Sequence, residues 1–164
     1  GKSDVAHLNI AKQIKNRIVS RKYIAIVKGF LPERQGIINA PIGRHNLDRK
    51  KMAVTFKASK EAFTSFSVLK YYIHPHRGEK YTLTECKLQT GRTHQIRVHL
   101  SYIGYPVLGD LRYGGKTNFF NITGQALHSS ELKLFHPINK EELIFEAPLP
   151  QDMQDILKVL EEKE

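Results

Sequence analysis

The densest run of side chains able to do chemistry is LQTGRTHQIRVHL, residues 88–100, where Arg92, His94, Arg97 and His99 follow Gly91. An arginine stays charged at any working pH and presents a planar fork of donors, so it is suited to holding and orienting an anion. The pattern reads as a strand end, a glycine turn and a helix start. Gly91 would take the sharp backbone angle, and Thr93 would cap the helix by accepting a backbone N–H one turn in. Ile96, Leu100 and Ile103 then recur at helical spacing as a buried stripe. Arg97 falls at the border of that stripe, near His94 and Ser101, and is aimed from a packed helix at whatever lies beside it.

Other residue types invite the same question. Tyr23 sits in an alternating segment, residues 21–29, with Ala25 and Val27 on its face and Ile24 and Ile26 on the other. Apolar groups on both faces predict an inner strand, and periodicity alone reads Tyr23 as a core aromatic with a hydrogen-bonded hydroxyl. The loop 42–51 carries Arg44, His45, Arg49, Lys50 and Lys51 against one acid, Asp48, expected to be a solvated loop carboxylate. Such a run is most often a solvated charged surface; its functional use would be to hold phosphates without reading sequence. His74 and His76 share a turn with no further ligand nearby, so no metal is expected. Cys86 lies in an alternating strand and reads as a buried core thiol.

The elements that must position these groups follow from periodicity. Ser3 caps a helix expected to run to about Val19, with Val5, Leu8, Ala11, Ile14 and Ile18 as its apolar stripe. Short strands are expected over 36–40 and at Met52, Val54 and Phe56, and a long one over 60–73, with Thr64, Phe66 and Val68 on one face. The strand 79–88 returns into the central motif. Turns at Gly104 and Gly109-Asp110 precede a strand over 126–134, a hairpin closing at 143–148, and a last helix from Gln151 burying Met153, Ile156, Leu157 and Leu160. Hairpin-linked strands with flanking helices predict an α+β fold built on a mixed, mostly antiparallel sheet. No repeat or low-complexity linker interrupts the chain, so residues 1–164 are read as a single domain.

Composition narrows the partners. With 164 residues, 40% of them hydrophobic, the chain can build a real core. Twenty-six Lys and Arg against 16 Asp and Glu give a net charge of +10, which favours a polyanion. No amphipathic basic helix offers itself to a membrane, and no apolar run is long enough to cross one. Nucleic acid is therefore the expected partner. One cysteine allows no internal disulfide and fits a reducing, cytoplasmic setting.

The ordered string GRTHQIRVH, followed by GYPVLGD at 104–110 and YGG at 113–115, resembles the RluA/RluD family of pseudouridine synthases. The resemblance covers nearly the whole chain and implies the pseudouridine-synthase sheet fold. It further implies isomerisation of uridine to pseudouridine in structured RNA, ribosomal RNA of the large subunit rather than transfer RNA, with no cofactor and no metal. Tyr23, Ala25, Val27 and Gly29 reproduce the family's Tyr-x-Ala-x-Val-x-Gly segment, making Tyr23 the tyrosine that stacks on the base. Arg97 matches the arginine that pairs with the nucleophilic aspartate, and Leu127 stands where an apolar residue meets the base. Arg44, His45, Arg49, Lys50, Lys51, Arg92 and His94 are the implied RNA contacts, with His45 as the candidate for splaying nucleotides and His99 as a structural or RNA-contacting residue.

The family's nucleophile lies in a His-Arg-Leu-Asp motif ahead of the first helix, and no such string occurs among these residues. His45-Asn46-Leu47-Asp48 is only superficially similar, because its flanks match a later family loop. The chain is thus expected to be the later part of a catalytic domain and to be inactive by itself. Arg97 should then be water-exposed or hold a borrowed carboxylate or anion, and an uncovered sheet edge should invite a second copy to pair. The competing reading is a non-catalytic RNA-binding module derived from such an enzyme.

Overall fold

The computed structural model describes residues 3–48, 50–115, 120 and 122–163. In chain order the elements are α1 (Asp4–Lys15), β1 (Ser20–Lys28), β2 (Gln35–Asn39), β3 (Ile42–Arg44), β4 (Met52–Val54) and β5 (Ser59–Lys60). There follow β6 (Phe63–Ile73), β7 (Lys80–Leu88), α2 (Gln95–Tyr102), β8 (Leu127–Phe135), β9 (Glu142–Glu146), α3 (Gln151–Lys158) and β10 (Glu161–Lys163). The fold is α+β, and every strand pairing described is antiparallel.

The main sheet has seven strands in the order β10-β6-β7-β1-β8-β9, with β2 also pairing β6. β1 is an inner strand, as its apolar faces predicted: Ala25, Ile26 and Val27 are fully buried. α2 covers one face. Its Ile96 and Leu100 join the main core with Ala25, Val27, Phe66 and Cys86. Cys86 is wholly buried, and burial pushes its thiol up to about 12, so it is an unreactive core group. A separate three-stranded sheet, β4-β3-β5, rests on α2 through a small cluster of Ile42, Ala62 and Val98.

Three sequence expectations about helices fail for identifiable reasons. α1 stops at Lys15, because Arg17 takes a left-handed backbone (φ 59°). Its apolar stripe does not face the sheet either: Val5, Leu8, Ile14 and Ile18 are all exposed. The helix docks by a polar residue instead. The Gln13 amide donates to the Phe135 carbonyl (2.7 Å) and accepts from the Phe135 N–H (2.9 Å), standing in for a strand neighbour of β8. At α2, Thr93 is not the cap. The N-cap is His94, with a left-handed backbone (φ 56°) and no side-chain capping bond. Gly91 keeps an ordinary φ, so the turn does not use its left-handed freedom; a Cβ there would lie 2.5 Å from Nη1 at the tip of the Arg21 side chain.

Candidate active site on the α2-covered face

The central motif is held to the sheet by two buried polar residues. Gln95 accepts from the Thr90 hydroxyl and the Arg92 N–H, and donates to the Phe63 carbonyl and the Thr64 hydroxyl, all within 3.0 Å. One turn later, His99 bonds the Thr64 hydroxyl through Nδ1 and the Ala40 carbonyl through Nε2, both at 2.9 Å. Burial holds the His99 imidazole below its ordinary range, so it stays neutral. His99 is fully buried, which makes it structural and removes it from RNA contact. Sequence reasoning passed over Gln95, although its i, i+4 relation to His99 beside Ile96 and Leu100 was a usable signal.

This anchoring turns Arg97 toward the loop after the helix. Its Nε donates to Oδ2 of Asp110 (2.6 Å) and its Nη2 to Oδ1 (2.8 Å), a bidentate pair. Oδ1 also accepts from the backbone N–H groups of Arg112 and Tyr113, both at 3.0 Å. The Asp110 side chain is completely buried and that of Arg97 is 14% exposed. Burial alone would raise the Asp110 pKa, but the bonds from Arg97, Tyr113 and Arg112 overcome it and hold the carboxyl below the usual range. Arg97 therefore holds a carboxylate, and that carboxylate comes from the turn after α2. Its Nη1 edge has no hydrogen-bond partner among the described residues and can take a second anion.

Tyr113 closes the arrangement. The Arg97 guanidinium lies over its ring, 5.1 Å from the centroid. Its hydroxyl meets Nδ1 of His94 at 2.9 Å and accepts from the Met52 N–H at 3.1 Å. Its carbonyl accepts from Ser101. His94, Arg97 and Ser101, one face of α2, thus converge on a single tyrosine. Burial, then the nearby Arg97 and Arg112 charges, lower the His94 pKa and favour its neutral form. Neither Asp110 nor Tyr113 was singled out in the sequence, where they read only as turn residues.

Strand register places Tyr23 and Leu127 relative to this pair. Tyr23 lies opposite Cys86, and Cys86 opposite Phe66; Thr64, two residues before Phe66, carries the hydrogen bonds to α2. Tyr23 is therefore on the α2-covered face. Leu127 lies opposite Ala25 on that face, half-buried against the core. The register of β1 with β8 shifts between Lys22 and Tyr23, a bulge that places one extra residue, Ser130, in β8. Leu108 is bonded to Ile26 and to Ala126, so the turn bearing Asp110 lies against the strand ends that carry Leu127. A Cβ on Gly109 (φ 76°) would run into the Gly124 carbonyl, which fixes that turn closely. Arg97, Tyr23 and Leu127 share one layer of the molecule. The five cavities described have neither Tyr23 nor Arg97 in their walls.

The other sequence candidates separate. Arg92 spends its Nε on the Glu61 carbonyl (2.9 Å). His45 ties its own loop: its Nδ1 accepts from the N–H groups of Leu47 (3.2 Å) and Asp48 (3.1 Å), which occupies that atom structurally. Asp48 is half-buried and accepts from the Lys50 N–H, so it is a turn-former rather than a freely solvated carboxylate. Arg44 and Lys50 are exposed, Lys51 is half-buried, and Arg49 lies outside the described residues. Arg21, on the Tyr23 face, was also missed; its Nε is buried without a hydrogen-bond partner.

Residues 1–102 match the family described as RNA pseudouridylate synthase. The chain belongs to that family. It is 48% identical over 160 residues to an RNA pseudouridine synthase of Bacillus subtilis (strain 168), YlyB, covering 97% of this chain and 50% of that protein. Its identity to the ribosomal large subunit pseudouridine synthase D of Nitrosomonas europaea is 41% over 162 residues, covering 94% of this chain and 45% of that one. The chain thus spans about half the length of these curated relatives. Among solved structures, the human RNA pseudouridylate synthase domain containing 1 superposes with a TM-score of 0.77 at 25% identity, over 95% of this chain and 71% of that one. The family is of the RluA/RluD type, and the sheet fold is that of its synthase domains.

Proposed function

We propose that the chain supplies the tyrosine-and-arginine part of a site that isomerises uridine to pseudouridine in structured RNA, with large-subunit ribosomal RNA as substrate rather than transfer RNA. The observation that carries this is the Arg97–Asp110 pair lying in the same layer as Tyr23 and Leu127. A uracil flipped from its stack would rest against Tyr23 and Leu127. An aspartate attacks, the N1 glycosidic bond breaks, and the base rotates and rejoins through C5 as the aspartate is released; C5 then loses its proton and N1 gains one. Arg97 would present its Nη1 edge to that aspartate, keeping it ionised and oriented. The chemistry calls for no cofactor or metal, and the setting is cytoplasmic. Residues 1–164 act as one part of a catalytic domain.

Asp110 is a poor substitute for the nucleophile: its carboxylate is buried and its oxygens are engaged by Arg97 and two backbone N–H groups. Asp48 serves its own turn. The 164 residues by themselves should therefore release no tritium above background from RNA carrying tritium on uracil C5, and turnover would overturn the assignment of roles. The second reading, an RNA-binding module without catalysis, draws on the same engaged Asp110. A chain supplied with a His-Arg-Leu-Asp segment separates the two: release of tritium supports the enzyme, and continued silence supports the module.

A further inference from the structure

Bordered by Tyr113, on which the Arg97 guanidinium lies, is a cavity of about 350 Å³ between α2 and the small sheet. That is within the range of small-ligand pockets, ~300–1,000 Å³. Val54 and Val98 contribute apolar wall, and Tyr102 and Tyr113 contribute aromatic rings. Three basic side chains also line it, His45 and Lys51 from the 42–51 loop and Arg112 from the turn after α2, and among the described residues no carboxylate does. Since His45 uses Nδ1 as an acceptor inside its loop, its neutral ring carries the proton on Nε2 as a donor. Arg112 spends one Nη1 bond on the Lys50 carbonyl, which pins the guanidinium at the loop. Tyr102 is 60% exposed, an unusual display for a large ring on a packed helix.

We propose that this cavity binds one unpaired nucleotide of the RNA, next to but distinct from the uridine at Arg97. Its base stacks on Tyr102, and its phosphate is met by Lys51 and Arg112. The proposal rests on the reading of the chain as RNA-binding and adds a second nucleotide site to it. Tyr113 is common to both sites: Arg97 lies over its ring, and the residue lines the cavity. A nucleotide held there would fix the register of the strand entering the first site. It would also demand RNA that is locally single-stranded, since a paired base has no free face to offer an aromatic ring.

The test measures fluorescence anisotropy of the chain with two labelled RNAs, a hairpin with an unpaired loop and the same stem as a blunt duplex. Tyr102→Ala should weaken hairpin binding about tenfold and leave duplex binding within about twofold. Tyr102→Phe should restore the hairpin affinity, because the ring and not the hydroxyl is used. Lys51→Gln should lower the salt slope for the hairpin by about one. Equal losses on both RNAs, or an unchanged hairpin affinity in Tyr102→Ala, would overturn the nucleotide site while leaving RNA binding intact. A wild-type chain that binds neither RNA would remove the RNA reading, and the site with it.

Discussion

Asp110 has the largest consequences of any single residue near the site. Losing its charge would strand a mostly buried guanidinium, and Asp110→Asn should cost roughly 3–5 kcal/mol of stability. Its pH signature is separable from that of the histidines. The Asp110 carboxyl is held below its ordinary value, so its contribution is full above the unfolded pKa (~3.9) and is lost as pH falls through the folded one. His99 is also depressed, being buried neutral, so its contribution is full above the unfolded value (~6.5) and fades as pH drops below it. Urea midpoints measured against pH should show both acid phases in the wild type. Asp110→Asn should keep the upper phase and lose the lower. The residue scale is also where the sequence was least legible. Arg97 could be read as an anion holder from its motif, but its partner lies 13 positions later in an irregular turn, where no periodicity speaks.

Among the elements, α2 shows what a pattern can and cannot reveal. Its apolar stripe, the inner position of β1 and the long alternating β6 were all readable, because burial imposes a period of 3.6 or 2 on the sequence. Polar anchoring leaves a fainter mark. His99 could be read only as structural or RNA-contacting, Gln95 was passed over despite its i, i+4 spacing to it, and Gln13 was hidden behind the apolar stripe of α1, which is exposed. Gln95→Ala should test the anchor: it leaves Thr90, Thr64 and two backbone groups short of partners, at an expected cost of at least ~2 kcal/mol. Urea denaturation measures this, and a loss below ~0.5 kcal/mol would show that α2 is held without Gln95, by His99, Ile96 and Leu100.

At the scale of the whole molecule, the main sheet ends at β9, which among the described residues pairs only β8 and exposes Ile144 and Phe145. Glu142 and Glu146 flank this edge and partly guard it. Light scattering across a concentration series should show mass rising as copies pair along β9, and Ile144→Lys should hold the chain monomeric. A constant monomer mass in the wild type would contradict edge pairing.

The small sheet is fastened by a cluster of three buried residues, whereas the main sheet shares one large continuous core. Few apolar contacts mean a low free energy of local opening. Residues 42–60 should accordingly take up deuterium well before β1 and β7, and bound RNA should slow that uptake there first. A part that opens by itself can release one nucleotide without disturbing the rest of the protein. Exchange of bound RNA would then be governed by the weakest patch of the interior, and hardening that patch would slow its release.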